Sequence, residues 1–461
     1  MASRIRKRIV SALVVVGIVA AGAIAVAWRP PVSAIATPPR DSFDPALVKR
    51  GRELASLGNC NDCHMARGGK VFAGGLQVPT PFGTIFSANI TPDPETGIGR
   101  WSEQAFVRAM RSGVSRDGAH LYPTFPYDHF TKVSEDDNRA LYAYLMTRTP
   151  VQAPAPANQL VFPLNLRPVI VGWKLLFLHN APLKPDPKQS AQWNRGAYLV
   201  EGLAHCGSCH TPRNALGAER ASAQFAGGDV DDWRAYPLND TSKSPVPWTA
   251  EALFTYLRTG SHPQHGVARG PMAQVVSNLS SVPEEDVRAI ATYMAGVAGA
   301  PTPDRQQRGN EAMARIDPAK SAQPDRAPQA QAAHPAGAAI YQAACAGCHE
   351  AGRPLPYGGV NLLLSTGVSA SDARNVTNTI LIGLKPAADE RSPIMPGFAS
   401  SMDDGQIVAL LQYLRARFSD QPVWDGLDRL VRDARGSQLT YVQTTAGAKN
   451  TPAAPQQREK P

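Results

Sequence analysis

The chain has 461 residues, 43% of them hydrophobic, which is long enough for roughly two to four domains with packed cores. Its formal net charge of +9 at pH 7 includes four basic residues at the extreme N-terminus, and the body of the chain has no Lys/Arg run. Because a nucleic-acid site needs clustered cations along the phosphate path, this charge does not indicate nucleic-acid binding.

Residues 9–28 form an uncharged run of 20 residues, IVSALVVVGIVAAGAIAVAW, directly after the basic cluster. Such a run is long enough to cross the core of a bilayer, and basic residues favour its cytoplasmic side. We therefore predict a membrane anchor over 1–29, with localisation in the inner (cytoplasmic) membrane and the remaining domains facing the periplasm. The alternative is a cleaved signal peptide, since residues 34–36 (Ala-Ile-Ala) resemble a cleavage site.

All six cysteines lie in three copies of the pattern C-x-x-C-H, and none is left over. This pattern is the attachment site of c-type haem, so the sequence predicts three covalently bound haem c groups. The predicted attachment residues are Cys60, Cys63, Cys206, Cys209, Cys345 and Cys348. The predicted proximal iron ligands are the histidines that follow, His64, His210 and His349. Zinc is the weaker interpretation, because no further cysteine remains to close a tetrahedron.

The chain contains three copies of one unit, which we call the first, second and third repeat. Each begins with a helical pattern that runs into the haem motif: RGRELASLGNCNDCH, RGAYLVEGLAHCGSCH and AGAAIYQAACAGCHE. Each ends with an amphipathic helical pattern that has an acidic start: SEDDNRALYAYL, PEEDVRAIATYM and MDDGQIVALLQYLRARF. Ser134 and Ser401 are candidate N-caps of two of these closing helices. The predicted fold is all-α, with three cytochrome c-like domains in tandem after an N-terminal transmembrane helix.

Stretches rich in Pro, Ala and Gln separate the repeats and set the predicted domain boundaries. The boundaries are 40–150, 191–299 and 335–420 for the cytochrome c domains, 300–334 for a flexible linker and 421–461 for a largely disordered tail. The segment 151–190 contains large apolar residues such as Trp173 and Phe177, which indicates an ordered linker arm. This arm packs either on a neighbouring domain or subunit, or on its own domain.

The sixth ligand of each iron decides the chemistry, and a Met thioether raises the potential in favour of electron transfer. Met272 and Met395 each precede the closing helix of their repeat and stand beside a proline, so we assign them as distal ligands. Core-filling methionines are the alternative interpretation. The other candidate ligands are His262 or His265 in the second repeat and Met402 in the third.

The first repeat has Phe125 where the other two have methionine, and a phenyl ring cannot bind iron. We assign His129, four residues further on, as the distal ligand, with Met110 as the alternative. His120 and an open iron site are the remaining options. A haem with two histidines would have a lower potential than one with histidine and methionine.

With these residues in place, the chain resembles the membrane-bound, three-haem cytochrome c subunits of bacterial periplasmic dehydrogenases. The resemblance covers residues 43–418 and rests on GNCNDCH, ANITPDPETGIGRWSEQAFVRAMRSG, DGAHLYPTFPYDHF, WNRGAYLVEGLAHCGSCHTPRN, GPMAQVV and IMPGF. Such subunits serve alcohol, gluconate, fructose and molybdenum-containing aldehyde or N-heterocycle dehydrogenases. The alcohol-dehydrogenase type tends to read LYPxMPY where this chain has LYPTFPY, so the Phe variant favours the molybdenum-enzyme branch.

The resemblance implies an electron-transfer subunit without substrate catalysis of its own. A catalytic partner subunit, with molybdopterin and an iron–sulfur subunit or with a quinone or flavin, would supply electrons. Ubiquinone or an oxidase would receive them. The sequence contains no phosphate loop, dinucleotide fingerprint or Ser/His nucleophile pair. The rival interpretation is a self-sufficient, peroxidase-like haem enzyme with an open iron in the first repeat, and a terminal-oxidase haem subunit is a third.

Overall fold

The computed structural model describes residues 28–316, 326–350, 352–353, 355, 358–384 and 393–448. Within these residues the chain is helical, with three small antiparallel sheets. It divides into two compact units, Met1–Lys184 with Glu201–His205, and Pro185–Val200 with Cys206–Pro461. The first unit holds the first haem motif, and the second unit holds the other two.

The first unit consists of helices around the first haem motif and one small sheet. Its helices are α1 (Pro45–Leu57), α2 (Cys60–Cys63), α3 (Glu103–Ser112), α4 (Tyr127–Phe130), α5 (Glu135–Met146) and α6 (Ile170–Phe177). Its strands are β1 (Gln77–Thr80), β2 (Gly83–Phe86) and β3 (Gln159–Leu160), in the order β1-β2-β3. Short 3-10 turns occur at Arg40–Ser42 and Arg167–Val169.

The second unit holds the second and third repeats, and its strands lie in the second. Its helices are α7 (Ala191–Tyr198), α8 (Gly207–His210), α9 (Ala250–Thr259), α10 (Pro271–Leu279), α11 (Glu284–Ala298), α12 (Pro303–Arg315), α13 (Ala327–Ala333), α14 (Pro335–Ala344), α15 (Ala346–His349), α16 (Thr366–Ser369), α17 (Arg374–Ile382), α18 (Asp404–Phe418) and α19 (Leu427–Ala448). Two hairpins are formed by β4 (Gly228–Val230) with β5 (Trp233–Ala235) and by β6 (Ser261–His262) with β7 (Gly266–Val267). A π-helical turn, Leu199–Leu203, continues α7, and 3-10 turns occur at Ala221–Ala223 and Leu362–Leu364.

In every repeat, the helix before the haem motif crosses the closing helix at a glycine. The crossing pairs, with the distance from an added Cβ atom to the facing carbonyl oxygen, are Gly51–Ala140 at 1.9 Å, Gly196–Ala289 at 2.0 Å and Gly337–Ala409 at 2.1 Å. No real Cβ atom fits at such distances, so only glycine allows the two backbones to approach this closely. A tyrosine four residues after each alanine flanks the crossing: Tyr144, Tyr293 and Tyr413.

The closing helices begin at caps that satisfy their first backbone amides. The Ser134 side chain accepts a hydrogen bond from the amide of Asp137, which confirms the predicted N-cap of α5. The prediction of Ser401 as the N-cap of α18 is wrong, because Asp403 caps that helix and forms a capping box with Gln406. The Asp403 carboxylate, two residues nearer to the helix than Ser401, accepts a hydrogen bond from the Gln406 amide, which has no partner within the helix.

The prediction of an all-α fold is wrong, because seven strands form three small sheets. In the first hairpin Gly83 has φ 117°, a left-handed conformation, and the Thr80 hydroxyl donates to the Gly83 carbonyl across 2.6 Å. Strands of two to four residues are too short to leave an alternating apolar pattern, so the sequence contains no periodic indication of them.

The predicted membrane anchor and the inner-membrane localisation with periplasm-facing domains also need correction. No helix in the described part of the chain is both long and apolar enough to span a membrane. The most apolar short helix, α6, has 8 residues and is about 12 Å long, less than half of a bilayer core. Residues 1–27 of the predicted anchor lie outside the described residues. The described residues therefore form helical domains with small sheets, and none of their helices could span a membrane.

The arm 151–190 contacts the first repeat within the first unit. The Lys174 ammonium donates to the carbonyl oxygens of Ser112 at 2.7 Å and Gly113 at 2.6 Å. The ring of Trp173 packs edge-on against Tyr127, with 5.9 Å between ring centroids. The arm is thus fixed to the C-terminal end of α3, where helix carbonyls need donors.

Two segments predicted as linker and tail contain ordered structure. Helices α12 and α13 lie within 300–334, and α19 lies within 421–461. Val431 is fully buried in the core of the third repeat, and the Trp424 indole donates to the carbonyl of Ala370 at 2.9 Å. The apolar residues just after the third repeat therefore complete its core, while the exact domain boundaries remain a prediction.

Candidate haem sites

Each predicted proximal histidine is oriented by a hydrogen bond from its ring to a backbone carbonyl. The Nδ1–O distances are 2.7 Å from His64 to Ala88, 2.7 Å from His210 to Tyr236 and 2.8 Å from His349 to Val360. Because a carbonyl oxygen only accepts, Nδ1 carries the proton and the Nε2 lone pair is available to a metal. Burial lowers the pKa of all three histidines, which keeps each imidazole neutral near pH 7, the form that binds iron.

Each haem motif places its two cysteines three residues apart at a short helical turn. Residues at this spacing are neighbours on a helix, so both sulfurs can reach one edge of a porphyrin. Asn59 (φ 50°) and His205 (φ 39°) hold the left-handed backbone that turns the chain into the first two motifs. None of the six cysteines forms a disulfide. Burial raises the pKa of the Cys60 thiol to about 12, so this sulfur is protonated before it is modified.

The small sheets supply two of the three carbonyl acceptors. Strand β2 ends two residues before Ala88, and strand β5 ends directly before Tyr236. The β4–β5 hairpin also lies against the second motif, because a Cβ atom on Gly228 would be 2.3 Å from the carbonyl oxygen of Cys209. The hairpins that contradict the all-α prediction therefore position the histidines that the sequence did predict.

The third repeat reaches the same histidine geometry through a loop. A Cβ atom on Gly359 would lie 2.8 Å from Nδ1 of His349, so only a glycine backbone can lie flat against this ring. The Gly359 amide donates to the Cys348 carbonyl at 3.1 Å. These two contacts bring the Val360 carbonyl to the imidazole.

Phe125 and Met272 occupy equivalent positions in the first and second repeats. In both repeats a helix ends at a left-handed glycine, Gly113 or Gly260, whose carbonyl then accepts a backbone hydrogen bond. The donor–acceptor pairs are Leu121–Gly113 and Ala268–Gly260, each at 2.8 Å. Phe125 and Met272 each stand four residues after the donor. The missing methionine of the first repeat is therefore a substitution at one site and not a shift of the loop.

Met395 is held by the end of α17. Its backbone pairs with Leu384 through hydrogen bonds of 2.7 and 3.2 Å, and its half-buried side chain packs on the core of the third repeat. The paired backbone limits where the thioether can move, which suits an axial ligand. Met402, the other candidate in this repeat, also packs on that core, and its carbonyl accepts from Arg435.

His129 and Met110 are both buried in the first repeat. The His129 ring is 5% exposed, and its Nδ1 lies 2.8 Å from the carbonyl oxygen of Glu201. This is the same ring-to-carbonyl geometry that orients the three proximal histidines. Met110, 6% exposed, lies on the buried face of α3 with Phe106. His120 is buried against Lys174, with 3.1 Å between Nζ and Nδ1.

The alternative ligands of the second repeat lie in the β6–β7 hairpin. His265 is stacked on Trp248 with 3.6 Å between ring centroids, and burial lowers its pKa to about 3. Its buried Nε2 has no hydrogen-bond partner among the described residues, so it stays an alternative to Met272. His262 packs against His265 with 5.0 Å between the rings.

The sequence analysis did not identify the carbonyl acceptors or the crossing glycines. The glycines were visible, since each quoted repeat start has glycine at its second position. The sequence does not indicate which carbonyls accept from the histidines, because every residue has a backbone carbonyl whatever its side chain.

The residues at the three motifs fit covalently bound haem c. Cysteines at helical spacing, a neutral imidazole with a fixed tautomer and a methionine further along the repeat are the donors that such a group uses. The second and third repeats contain a candidate of each kind, and the first has Phe125 where the second has methionine.

Two family models match the chain. Residues 48–149 match the cytochrome c family, and residues 332–414 match cytochrome c oxidase, cbb3-type, subunit III. Both matches indicate covalently bound haem c.

Three relatives extend the match over most of the chain. A nicotinate dehydrogenase subunit of Pseudomonas putida is 46% identical over 88% of this chain, which spans only 33% of that protein. The fructose dehydrogenase cytochrome subunit of Gluconobacter japonicus is 34% identical over 88% of this chain and 84% of its own length. The cytochrome c subunit of the quinone-dependent alcohol dehydrogenase of Gluconobacter oxydans is 34% identical over 81% of this chain and 78% of its own length.

These relatives confirm the predicted family and favour electron transfer over a peroxidase-like enzyme. The chain belongs to the family of cytochrome c electron-transfer subunits of dehydrogenase complexes.

Proposed function

We propose that the chain carries three haem c groups and transfers electrons from a separate catalytic dehydrogenase subunit to a respiratory acceptor, ubiquinone or an oxidase. The observation that carries this proposal is the threefold repetition of one arrangement, a C-x-x-C-H motif whose histidine donates from Nδ1 to a backbone carbonyl. A single such contact could be fortuitous, whereas one at each of the three C-x-x-C-H motifs supports three equivalent iron sites.

Different residues of each repeat would bind different parts of its haem. Each cysteine pair, Cys60/Cys63, Cys206/Cys209 and Cys345/Cys348, would form the thioethers, and His64, His210 and His349 would be the proximal ligands. Met272, Met395 and His129 would be the distal ligands. Bound haem c supplies a one-electron carrier whose potential the axial ligands set.

A partner with molybdopterin and an iron–sulfur subunit is the class of catalytic subunit that we favour. The relative with 46% identity is a nicotinate dehydrogenase subunit, which points to oxidation of an N-heterocycle or an aldehyde by the partner. Phe125 in place of methionine supports the same branch. Quinoprotein or flavoprotein partners are the alternative, and the fructose and alcohol dehydrogenase relatives support them.

The test is a haem count followed by reduction through the partner. The purified protein should contain three haems per chain by pyridine haemochrome assay and intact mass. In the complex isolated with its catalytic subunit, the partner's substrate should produce the ferrous c-type absorption bands. Fewer than three haems, or loaded haems that the substrate never reduces, would overturn the proposal. Molybdenum analysis of the same complex decides the partner class.

The rival is a peroxidase-like enzyme, and Phe125 is the one observation that favours it, because this residue leaves the first distal position without sulfur. Six-coordinate iron excludes small ligands, whereas an open iron binds carbon monoxide. Titration of the reduced protein with carbon monoxide should therefore show little binding. Binding at one third of the haems, together with peroxide turnover, would favour the rival.

A further inference from the structure

Strand β5 leads to the carbonyl that orients His210, and the sheet to which it belongs is small. Strands β4 and β5 have three residues each and form a two-stranded sheet, in which Arg234 pairs with Asp229. A hairpin of two strands is marginally stable at best without further support. The Tyr236 carbonyl follows β5 directly, so its position depends on what else holds this strand.

Asn375 of the third repeat lies along the outer edge of β5. Its Oδ1 accepts from the Arg234 amide and its Nδ2 donates to the Arg234 carbonyl, each at 2.8 Å. Two residues of antiparallel strands exchange the same pair of hydrogen bonds when they lie opposite each other. The Asn375 amide therefore takes the place of one residue of a third strand, two residues before the Tyr236 carbonyl.

A second asparagine and an ion pair extend this contact along α17. Asn378 is three residues after Asn375 and so lies on the same side of the helix. It is fully buried, and its Nδ2 donates to the Asp232 carbonyl at 2.8 Å. The Arg374 guanidinium lies 2.8 Å from the Asp229 carboxylate. Helix α17 thus contacts both strands and the turn between them, and these contacts hold the hairpin against the third repeat.

The first repeat contains the same contact within its own unit. The Phe86 amide, two residues before the Ala88 carbonyl, donates to the Asn158 side chain at 2.9 Å. Strand β3 pairs with β2 beside this contact. In both repeats an asparagine side chain thus binds the backbone two residues before the carbonyl that accepts from the predicted proximal histidine. The difference is that the second repeat receives this asparagine from the third.

The position of the carbonyl matters because it acts on the iron through the imidazole. A carbonyl that accepts from the Nδ1 proton fixes the ring orientation and makes the ring a more basic ligand. A more basic ligand stabilises ferric iron over ferrous iron and so lowers the potential. Moving the Tyr236 carbonyl away from His210, to which it lies at 2.7 Å, would therefore raise the potential at this motif.

We propose that Asn375 positions the predicted proximal ligand of the second repeat, by holding the Tyr236 carbonyl against the His210 ring. It thereby lowers the potential of the haem attached at Cys206 and Cys209. The inference rests on the proposed haem at this motif. Its consequence is that the third repeat, besides holding its own proposed haem, adjusts the iron site of the repeat before it.

The experiment compares Asn375→Leu, Asn158→Leu and Asn310→Leu in the full-length holoprotein by spectroelectrochemical titration. Asn375→Leu should raise the potential of the second haem and leave the other two unchanged, whereas Asn158→Leu should raise that of the first. Asn310 is exposed on α12, where it accepts from Gln306, so Asn310→Leu is the control without a shift. Potentials in Asn375→Leu that match those of the control would overturn the inference, and so would a shift of the same haem in Asn158→Leu.

Electron paramagnetic resonance of the ferric protein provides the readout that a loss of stability alone would not move. The largest g value of a low-spin haem depends on the orientation of its axial ligands. One low-spin signal should shift in Asn375→Leu, and it should be the signal that disappears when Cys206 and Cys209 are replaced by serine. Asn375→Gln keeps the amide and should shift the same signal less. A shift confined to the signal that disappears when Cys345 and Cys348 are replaced would contradict the proposal.

If Asn375→Leu loads fewer than three haems, the mass of the haem peptides locates the empty motif. Loss confined to Cys206 and Cys209 supports the inference, whereas loss at the third motif shows that Asn375 stabilises its own repeat and contradicts it. A wild-type protein that loads three haems and is reduced by its partner, while Asn375→Leu behaves as the control does, would refute this inference alone and leave the proposed function intact.

Discussion

At the distal position of the first repeat, one aromatic side chain changes which atoms can reach the iron. Phe125 packs against Phe130 with 5.2 Å between ring centroids, and Phe130 in turn packs against His205 at 5.4 Å. The phenyl ring offers no lone pair, so the ligand must come from another residue or be absent. His129 lies one residue before Phe130 in the same short helix, with its ring fixed by the Glu201 carbonyl.

We expect His129→Gln to leave one iron five-coordinate. The ferric spectrum should gain a high-spin component, and carbon monoxide should bind one third of the haems after reduction. Met110→Leu is the matched comparison, because it conserves volume on the buried face of α3 and costs less than about 1.5 kcal/mol. A high-spin haem in Met110→Leu, but not in His129→Gln, would assign the ligand to Met110.

Lys174 shows how one buried residue makes stability depend on pH. Burial, assisted by the positive charge of Arg29, lowers its pKa to about 7. An unfolded lysine keeps its proton up to about pH 10.4, so between about pH 7 and that value the unfolded chain binds more protons than the folded chain. Raising the pH across this window therefore favours the folded state.

The variant Lys174→Met removes this titration and leaves the carbonyls of Ser112 and Gly113 without their donor. We expect a loss of about 1–3 kcal/mol at pH 7. Urea denaturation from about pH 6 to about pH 9 should show wild-type stability rising relative to the variant. Parallel pH profiles would show that Lys174 does not titrate in this window.

At the scale of secondary-structure elements, the helix crossing is the feature that all three repeats share. The first helix carries a haem motif at its end, so its crossing with the closing helix fixes where the motif lies relative to that helix. Because glycine has no side chain, no Cβ atom at this position keeps the two backbones apart. A single methyl group at the crossing would therefore force the two helices apart.

Gly51→Ala should destabilise the first repeat by about 1–3 kcal/mol or more, because the new methyl would lie 1.9 Å from the Ala140 carbonyl oxygen. Gly172→Ala is the matched control, since Gly172 is also helical and has no atom within 4 Å of an added Cβ. It should be neutral or stabilise by up to about 1 kcal/mol. Equal thermal unfolding midpoints for the two variants would show that α1 and α5 separate without cost.

The closing helices of the repeats could be predicted from the sequence and the strands could not. An amphipathic pattern of ten or more residues repeats its period several times, as in α5, α11 and α18. Each strand of β4–β5 has three residues and offers less than two periods. The contact between the Tyr236 carbonyl and His210 could not be predicted for the same reason, because this short hairpin brings the two together.

At the scale of the whole molecule, each haem motif has its histidine acceptor within its own repeat, yet the second and third repeats share contacts. The Asn375 side chain exchanges two hydrogen bonds of 2.8 Å with the backbone of Arg234. Arg374 pairs with Asp229 at 2.8 Å. Helix α17 of the third repeat thus rests on the hairpin that orients the second proximal histidine.

Replacing Cys345 and Cys348 together by serine should remove one haem and leave two. The reason is that the hydrogen bonds from His64 to Ala88 and from His210 to Tyr236 are both formed within their own repeats. Haem per chain, measured by pyridine haemochrome against protein mass, checks this. Cys60→Ser with Cys63→Ser is the matched variant and should also retain two haems. A chain with fewer than two haems in either case would mean that the repeats load cooperatively.

The sequence by itself determined the family, and it predicted the covalent attachment residues, the proximal histidines and the helices that begin and close each repeat. These features depend on residue types at fixed short spacing, and such spacing is a property of the chain whatever its fold. Tertiary structure alone decided which carbonyls orient the histidines and that glycines lie at the helix crossings. Each of these depends on atoms that are distant in sequence and become neighbours only when the backbone is folded, so no local pattern encodes them.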